Sequence, residues 1–257
     1  QEAPNGLLTR YWYNEYGQVT QTVRAYGTSE AITMTYGYDA VGRLITATQI
    51  SLDIDPTTSL TVYDAGNRLV ATIQNWTGTN PTTWENQCSF ASGPRDINIC
   101  TRYGYDEAGR TISTTNPLAQ TDLSFYDAAG RAYLYVNNYD GTPNYENDPE
   151  GVLCDWVTPD AEYNLCSLTE YDSNGRVAAA TDVIGRVNRT FFDSLGRIQA
   201  TVINSVAVTD DWEACDFPPT TADEDLCTVY TYDAVGNVVE VQDPAGRVTL
   251  TVYDALN

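Results

Sequence analysis

The chain has 257 residues, 42% of them hydrophobic and 19% charged, so it holds enough apolar side chains to fold around a core. Its 13 basic residues are all arginines, histidine and lysine are absent, and the formal net charge is −22. This balance argues against binding to nucleic acid or to anionic membranes, because both need a basic face, and no apolar run is long enough to span a bilayer.

The composition also argues against an enzyme. Without histidine and lysine, the usual general bases near neutral pH and the Schiff-base amine are missing. Paired carboxylates, as in glycosidases, are left open, although 35 acidic residues make chance pairs common. Abundant tyrosine, threonine and valine favour strands. We therefore expect an all-β protein without catalytic activity or a cofactor.

A unit of the form Tyr-Asp-x-x-Gly-Arg-apolar recurs along the chain. It is complete at Tyr38-Asp39-Ala40-Val41-Gly42-Arg43-Leu44. Nine copies begin, in chain order, at Tyr13, Tyr38, Tyr63, Tyr105, Tyr126, Tyr171, Phe192, Tyr232 and Tyr253. Asn14 replaces the aspartate in the first copy, and the glycine of the third copy, Gly66, comes one place early.

The chemistry of this unit predicts a tight hairpin turn with a bulge glycine. The aspartate side chain accepts hydrogen bonds from the backbone NH groups that follow it, and the glycine adopts a positive φ that a Cβ would penalise. The predicted turn residues are Asp39, Gly42, Asp106, Gly109, Asp127, Gly130, Asp172, Gly175, Asp193, Gly196, Asp233 and Gly236. Asn67 and Asn257 take the glycine's place in two copies, since asparagine tolerates this conformation. Two roles stay open for the arginine, namely pairing with the aspartate or stacking on a tyrosine.

A second half-unit precedes four copies, for example Asp243-Pro244-Ala245-Gly246 before Tyr253. It predicts another turn followed by an alternating strand. The half-unit at residues 3–6 matches the one at residues 243–246 at a constant offset of 240. Both ends of the chain therefore carry the same half-unit. Unpaired strand edges at both ends predict head-to-tail self-association.

Six cysteines fall into three pairs with the same separation of 12 positions: Cys88 and Cys100, Cys154 and Cys166, Cys215 and Cys227. The second cysteine always lies five residues before a tyrosine that begins a repeat. A zinc site is disfavoured, because there is neither a CxxC pair nor a histidine. We expect three local disulfides, each closing one insertion between repeats, and hence an extracellular or cell-surface location. The chain begins with Gln1, which fits a mature product or a trimmed chain.

These residues resemble the Tyr-Asp (YD, or Rhs) repeat family, which includes bacterial Rhs proteins, shell components of Tc toxins and the teneurins. The resemblance covers essentially the whole chain. It implies an all-β, solenoid-like, spiralling stack of antiparallel β-hairpins, closed in larger members into a hollow shell. We expect a single array over residues 1–257, with cysteine-free units in 1–75 and disulfide-closed insertions in 76–257.

Three further patterns lie in or beside the insertions. Asp210, Asp211, Asp223 and Asp225 are weak calcium candidates, since hard cations bind several oxygen ligands, although no known calcium-loop pattern is present. Trp76, Trp84, Trp156 and Trp212 either stack on a glycan or cover the sheet. Asn75 and Asn188 fit the N-glycosylation sequon.

The sequence thus favours a structural role, as a subunit or segment of an extracellular fibre or surface array assembled head-to-tail. Two alternatives stay open. The first is part of a larger Rhs- or teneurin-like shell that encapsulates a toxin. The second is a surface adhesin that binds glycans through the insertions.

Overall fold

The computed structural model describes residues 7–254 except 53, 79–81, 83, 86–87, 89–95, 142–152, 155 and 157–161. The half-unit at residues 3–6 and the turn position Asn257 therefore lie outside the described residues. The chain divides into two compact units, Gln1–Asp122 and Leu123–Asn257. The predicted single array, with its change at residue 76, stays a prediction.

The expected all-β class is confirmed. The described residues form 17 strands, together with short helical stretches such as the 3-10 helix Trp212–Ala214. The strands are β1 Arg10–Tyr13, β2 Val19–Arg24, β3 Ile32–Tyr38, β4 Leu44–Ile50, β5 Thr57–Tyr63, β6 Leu69–Gln74, β7 Ile99–Tyr105, β8 Thr111–Thr115, β9 Thr121–Tyr126, β10 Ala132–Tyr139, β11 Leu165–Tyr171, β12 Val177–Thr181, β13 Val187–Phe192, β14 Ile198–Ile203, β15 Leu226–Tyr232, β16 Val238–Gln242 and β17 Val248–Leu250. In the part of the chain that is described, no helix has the length and apolarity needed to cross a membrane.

In the first unit, strands β1 to β8 pair in chain order, each antiparallel to the next. In the second unit, β10 to β17 do the same, and β9 crosses the division between the units. Consecutive strands are thus joined as hairpins, which confirms the antiparallel architecture. The spiral arrangement implied by the family resemblance stays a prediction.

One face of the strands carries the buried core. Ala200 and Val202 alternate with half-buried residues along β14 and are both fully buried, as the two-residue period of a strand requires. Val202 pairs in register with Cys227, as Val136 does with Cys166 and Ile73 with Cys100. The opposite face is rich in threonine, with paired rows Thr61–Thr72–Thr101 and Thr190–Thr201–Thr228. The disulfides therefore lie on the buried face of each unit.

Candidate functional site: the turn ladder and the stapled insertions

Each repeat whose turn lies in the described residues forms the same five-residue turn, and Asp172–Arg176 illustrates it. One carboxylate oxygen of Asp172, Oδ1, accepts hydrogen bonds from the backbone NH groups of Asn174 (2.9 Å) and Arg176 (2.9 Å). Gly175 has a φ of +83°, and the register shifts by one residue between Glu170 and Tyr171. This is the bulged hairpin that the aspartate and glycine encode.

The other predicted turn positions have the same backbone conformation. The glycines have φ values of +87° (Gly42), +83° (Gly109), +81° (Gly130), +85° (Gly196) and +101° (Gly236), and Asn67 has +66°. Each aspartate backbone NH donates to the carbonyl four residues on, for Asp39, Asp106, Asp127, Asp193 and Asp233. Two of the described half-units fold in the same way, since the backbone NH groups of Asp182 and Asp243 donate to the carbonyl oxygens of Arg186 and Arg247. Both kinds of turn therefore share one design.

The turn arginine takes both roles that the sequence left open. Arg176 Nε donates to Asp172 Oδ2 over 2.7 Å, and its guanidinium carbon lies 4.0 Å from the centre of the Phe192 ring. Phe192 begins the next repeat, so Arg176 links its own turn to the following hairpin. The same contact joins Arg43 to Tyr63 (4.7 Å), Arg68 to Tyr105 (4.9 Å), Arg131 to Tyr171 (4.3 Å) and Arg197 to Tyr232 (4.3 Å). We call this series of contacts the turn ladder.

The repeat tyrosine adds a second link between the same hairpins. Its hydroxyl donates to the backbone carbonyl of the first residue of the strand after the preceding repeat turn. The bonds run from Tyr38 to Val19 (2.7 Å), Tyr105 to Leu69 (2.6 Å), Tyr171 to Ala132 (2.8 Å) and Tyr232 to Ile198 (2.7 Å). Tyr105, Tyr171 and Tyr232 therefore each have the ring covered by an arginine and the hydroxyl bonded to the backbone. The tyrosine that begins the motif and the arginine that follows its turn both make contacts within the fold.

Turn aspartates have a lowered pKa. At Asp127, the backbone NH of Arg131 is the main cause, followed by the hydrogen bond from its side chain, and both favour the ionised carboxylate. Asp172 has the same leading cause, the backbone NH of Arg176. The carboxylates thus stay ionised as acceptors for the turn. A raised pKa, which would suit a general acid, is not what this geometry produces.

The structure contains the three predicted disulfides, Cys88–Cys100, Cys154–Cys166 and Cys215–Cys227, each with a sequence separation of 12. They close three insertions, which span residues 75–98, 138–164 and 204–225. Each disulfide belongs to or packs against a buried cluster on its unit's core face. Described residues of the insertions, among them Trp84, Leu153 and Val208, therefore pack in these clusters.

The tryptophans mostly take part in this packing. Trp76 and Trp84 pack against the cluster of Leu60, Ile73 and Cys100, and Trp156 packs against the cluster that contains Leu153 and Cys166. Trp84 also lies under the guanidinium of Arg102, at 5.2 Å. Trp212, in the 3-10 helix, is half-buried. The packing of the first three favours a covering role over a free stacking surface for sugars.

Each insertion is closed at its base by a pair of Asn or Asp residues with positive φ, a feature that our sequence reasoning missed. In the third insertion, Asn204 and Asp225 have φ values of +51° and +50°, and the Asn204 amide donates to the Asp223 carbonyl oxygen. The backbone NH of Asp225 donates to the Asn204 carbonyl oxygen. The other insertions have Asn75 with Asn98 and Asn138 with Asn164. The available signal was an acidic-x-Asx-apolar-Cys pattern, repeated before Cys100, Cys166 and Cys227.

The closed base of an insertion, which we call its neck, accounts for two of the four calcium candidates. Asp225 accepts from the backbone NH groups of Val206 (2.8 Å) and Val208 (3.2 Å), and Asp223 supplies its backbone carbonyl. Asp211 accepts from Glu213 N at the start of the 3-10 helix, and Asp210 accepts from the Thr209 hydroxyl at 3.5 Å. Among the described residues, no group of three or more acidic, histidine or cysteine side chains is arranged to hold a metal ion.

The two sequon asparagines lie at different places. Asn75 lies in the neck of the first insertion, where its amide nitrogen donates to the Asp96 carbonyl oxygen. Asn188 is exposed on β13, and its side-chain oxygen accepts from Asn204 N over 3.1 Å. The Asn75 nitrogen, which glycosylation would modify, is thus engaged in closing the insertion.

No family model matches the sequence, and no curated protein matches it. Among solved structures, the chain is similar to the Tc holotoxin pore of Photorhabdus luminescens, with 14% identity and a TM-score of 0.39 over 92% of this chain and 11% of that chain. It is similar to the TcdB2-TccC3 crystal structure, with 14% identity and a TM-score of 0.40 over 91% of this chain and 12% of that chain. It is also similar to the TcdB2-TccC3 structure without the hypervariable C-terminal region, with 14% identity and a TM-score of 0.39 over 91% of this chain and 11% of that chain. The chain spans about an eighth of these chains or less.

Proposed function

We propose that the chain is a non-catalytic, structural β-repeat segment of an extracellular or cell-surface assembly. The observation that carries this proposal is the turn ladder. The motif's aspartate, arginine and tyrosine are the residues whose chemistry would serve a site, and they bind one another and the neighbouring hairpin instead. A repeat whose polar and aromatic side chains bind successive hairpins to one another suits a structural role.

The stapled insertions support the same proposal. One disulfide in the first unit and two in the second lie in or beside buried clusters, so each unit has a covalent cross-link on its core face. Disulfides persist in oxidising surroundings, which suits an extracellular location. The net charge of −22 keeps such a surface hydrated.

The partner that we propose is a further array of the same kind, joined head-to-tail through a strand edge. Among the described strands, β17 pairs with β16 alone, and all three of its residues are exposed, including the apolar Val248 (51%) and Leu250 (70%). An exposed apolar edge strand is a template for another strand. A second copy gives a fibre or array, whereas further repeats of one polypeptide give a larger Rhs- or teneurin-like shell around a toxin.

Sedimentation over a range of concentrations tests the head-to-tail contact. We expect the wild-type protein to associate as its concentration rises, and Leu250→Lys to abolish this, because a charge on an edge strand blocks pairing. Leu195→Lys is the matched control, since Leu195 is equally exposed but lies in a turn. A wild-type protein that stays monomeric throughout contradicts the contact.

Negative-stain imaging of natively purified material separates the forms of the assembly. Extended fibres or sheets support the fibre, and closed hollow particles support the shell. A glycan-array screen covers the adhesin alternative. Glycan binding by the wild-type protein that is lost in Trp212→Ala, together with images of dispersed single particles, would favour the adhesin over the structural proposal.

A further inference from the structure

The turn ladder is interrupted at its first step. In the turn at residues 14–18, Asn14 and Gln18 replace the aspartate and the arginine, and their side chains bond to each other over 2.9 Å. The glutamine side chain is shorter than an arginine side chain and has no guanidinium group to lie over a ring. Its amide nitrogen instead reaches the Gly42 carbonyl oxygen over 2.8 Å. The ring that this step should cover belongs to Tyr38.

A groove lies beside this step of the ladder, where glutamine stands in place of arginine. It has a volume of about 450 Å³ and is lined by residues of two successive repeat turns, 14–18 and 38–42. Tyr16, at its rim, is 79% exposed. Among the residues that the structure describes, no arginine lies over the Tyr38 ring, and residues 1–6 contain no arginine. The groove therefore has an aromatic floor without its usual cover.

The other steps of the ladder show what fits such a floor. Five arginines lie 4.0–4.9 Å from the centre of the corresponding ring. Two of them also donate to the carbonyl of the residue after the tyrosine, Arg43 to Asp64 (3.3 Å) and Arg68 to Asp106 (3.1 Å). The equivalent acceptor in the groove is the Asp39 carbonyl oxygen. A planar guanidinium matches both the ring face and this acceptor.

We propose that this groove binds a guanidinium group, carried by an arginine side chain of a partner chain. The partner's arginine takes the place over Tyr38 that Arg43 takes over Tyr63, and donates to the Asp39 carbonyl oxygen. The ring face is the recognising feature, because Phe192 accepts Arg176 without a hydroxyl group. The strongly negative protein attracts such a cation from a distance.

Chemical-shift titration of the isotope-labelled full chain tests this site at low ionic strength. The probe is the blocked peptide Gly-Arg-Gly, and the comparison peptide is Gly-Lys-Gly. We expect saturable shifts at the amides of Tyr38, Asp39 and Gly42. The arginine peptide should bind about 3- to 10-fold more tightly than the lysine peptide, since a guanidinium stacks on an aromatic ring and an ammonium is held by its water.

Three variants make the result decisive. Gln18→Arg fills the groove from within and should weaken the arginine peptide about 2- to 30-fold, the range of a cation–π contact. Tyr38→Leu should weaken it similarly, whereas Tyr38→Phe should bind as wild type does. Dispersed far-shifted amide resonances verify the fold of each variant. Unchanged binding in Gln18→Arg, equal affinity for lysine, or shifts spread over the acidic surface would each overturn the proposal.

Discussion

Removing the disulfide between Cys154 and Cys166, by replacing both with alanine, should destabilise the second unit by a predictable amount. The bond joins residues 12 positions apart. Closing a loop of this length removes enough entropy from the unfolded chain to stabilise the fold by about 3 kcal/mol in the chain-entropy model. The lost sulfur packing adds to this, because Cys166 is buried beside Leu134 and Val136 in one cluster.

The pair Cys215 and Cys227 provides a matched comparison, because its separation is also 12 and its cluster shares no residue with the first. Urea unfolding followed by circular dichroism should give the same loss of about 3 kcal/mol for either double-alanine variant. Removing both disulfides should give the sum, within about 0.5 kcal/mol, as independent sites do. A loss below about 1 kcal/mol for either pair would refute the staple reasoning.

Three smaller perturbations test the turns and the neck. Gly236→Val should lower the free energy of unfolding by about 1–2 kcal/mol, because a Cβ strains a backbone of φ +101° even in open space. Gly236→Asn should lower it clearly less, since Asn67 holds the same position in another repeat, and equal losses would contradict this. The pKa of Asp127 is lowered in the folded state, so its contribution to stability is complete above the unfolded pKa and is lost as pH falls through the folded pKa. The difference in urea midpoint between wild type and Asp127→Asn should therefore be largest at pH 7 and narrow below about pH 4. A difference that stays constant with pH would be inconsistent with this. Asp225→Ala should cost about 1–2 kcal/mol by freeing the NH groups it accepts from; Asp225→Asn should cost little, and thermal unfolding that ranks them otherwise would argue against the neck.

The hairpins and disulfides could be predicted from the sequence because their determinants are local. Asp172, Gly175 and Arg176 lie within five residues and define a complete turn through hydrogen bonds to their own backbone. The disulfides were predictable for a similar reason, since a separation of 12 repeated three times fixes the pairing. Neither inference needed the register of distant strands.

The turn ladder and the neck could not be predicted in this way. Arg68 reaches the ring of Tyr105 and the carbonyl of Asp106, which is 38 residues away, across an entire insertion. That contact depends on β6 and β7 pairing in a particular register, which the sequence does not state locally. The groove at Tyr38 was missed for the same reason, because the consequence of Gln18 appears only once the following turn, residues 38–42, is placed beside it.

A double-mutant cycle between Arg176 and Phe192 measures most directly whether the motif's side chains hold successive hairpins together. Arg176→Gln, Phe192→Leu and the double variant are compared by urea unfolding, and the cycle cancels the loss of the bond to Asp172. The ladder predicts a coupling of about 0.5–1 kcal/mol, the range of an exposed cation–π pair. Arg247→Gln with Phe192→Leu is the control cycle and should be additive. A coupling of zero for Arg176 and Phe192 would contradict the structural role assigned to the repeat.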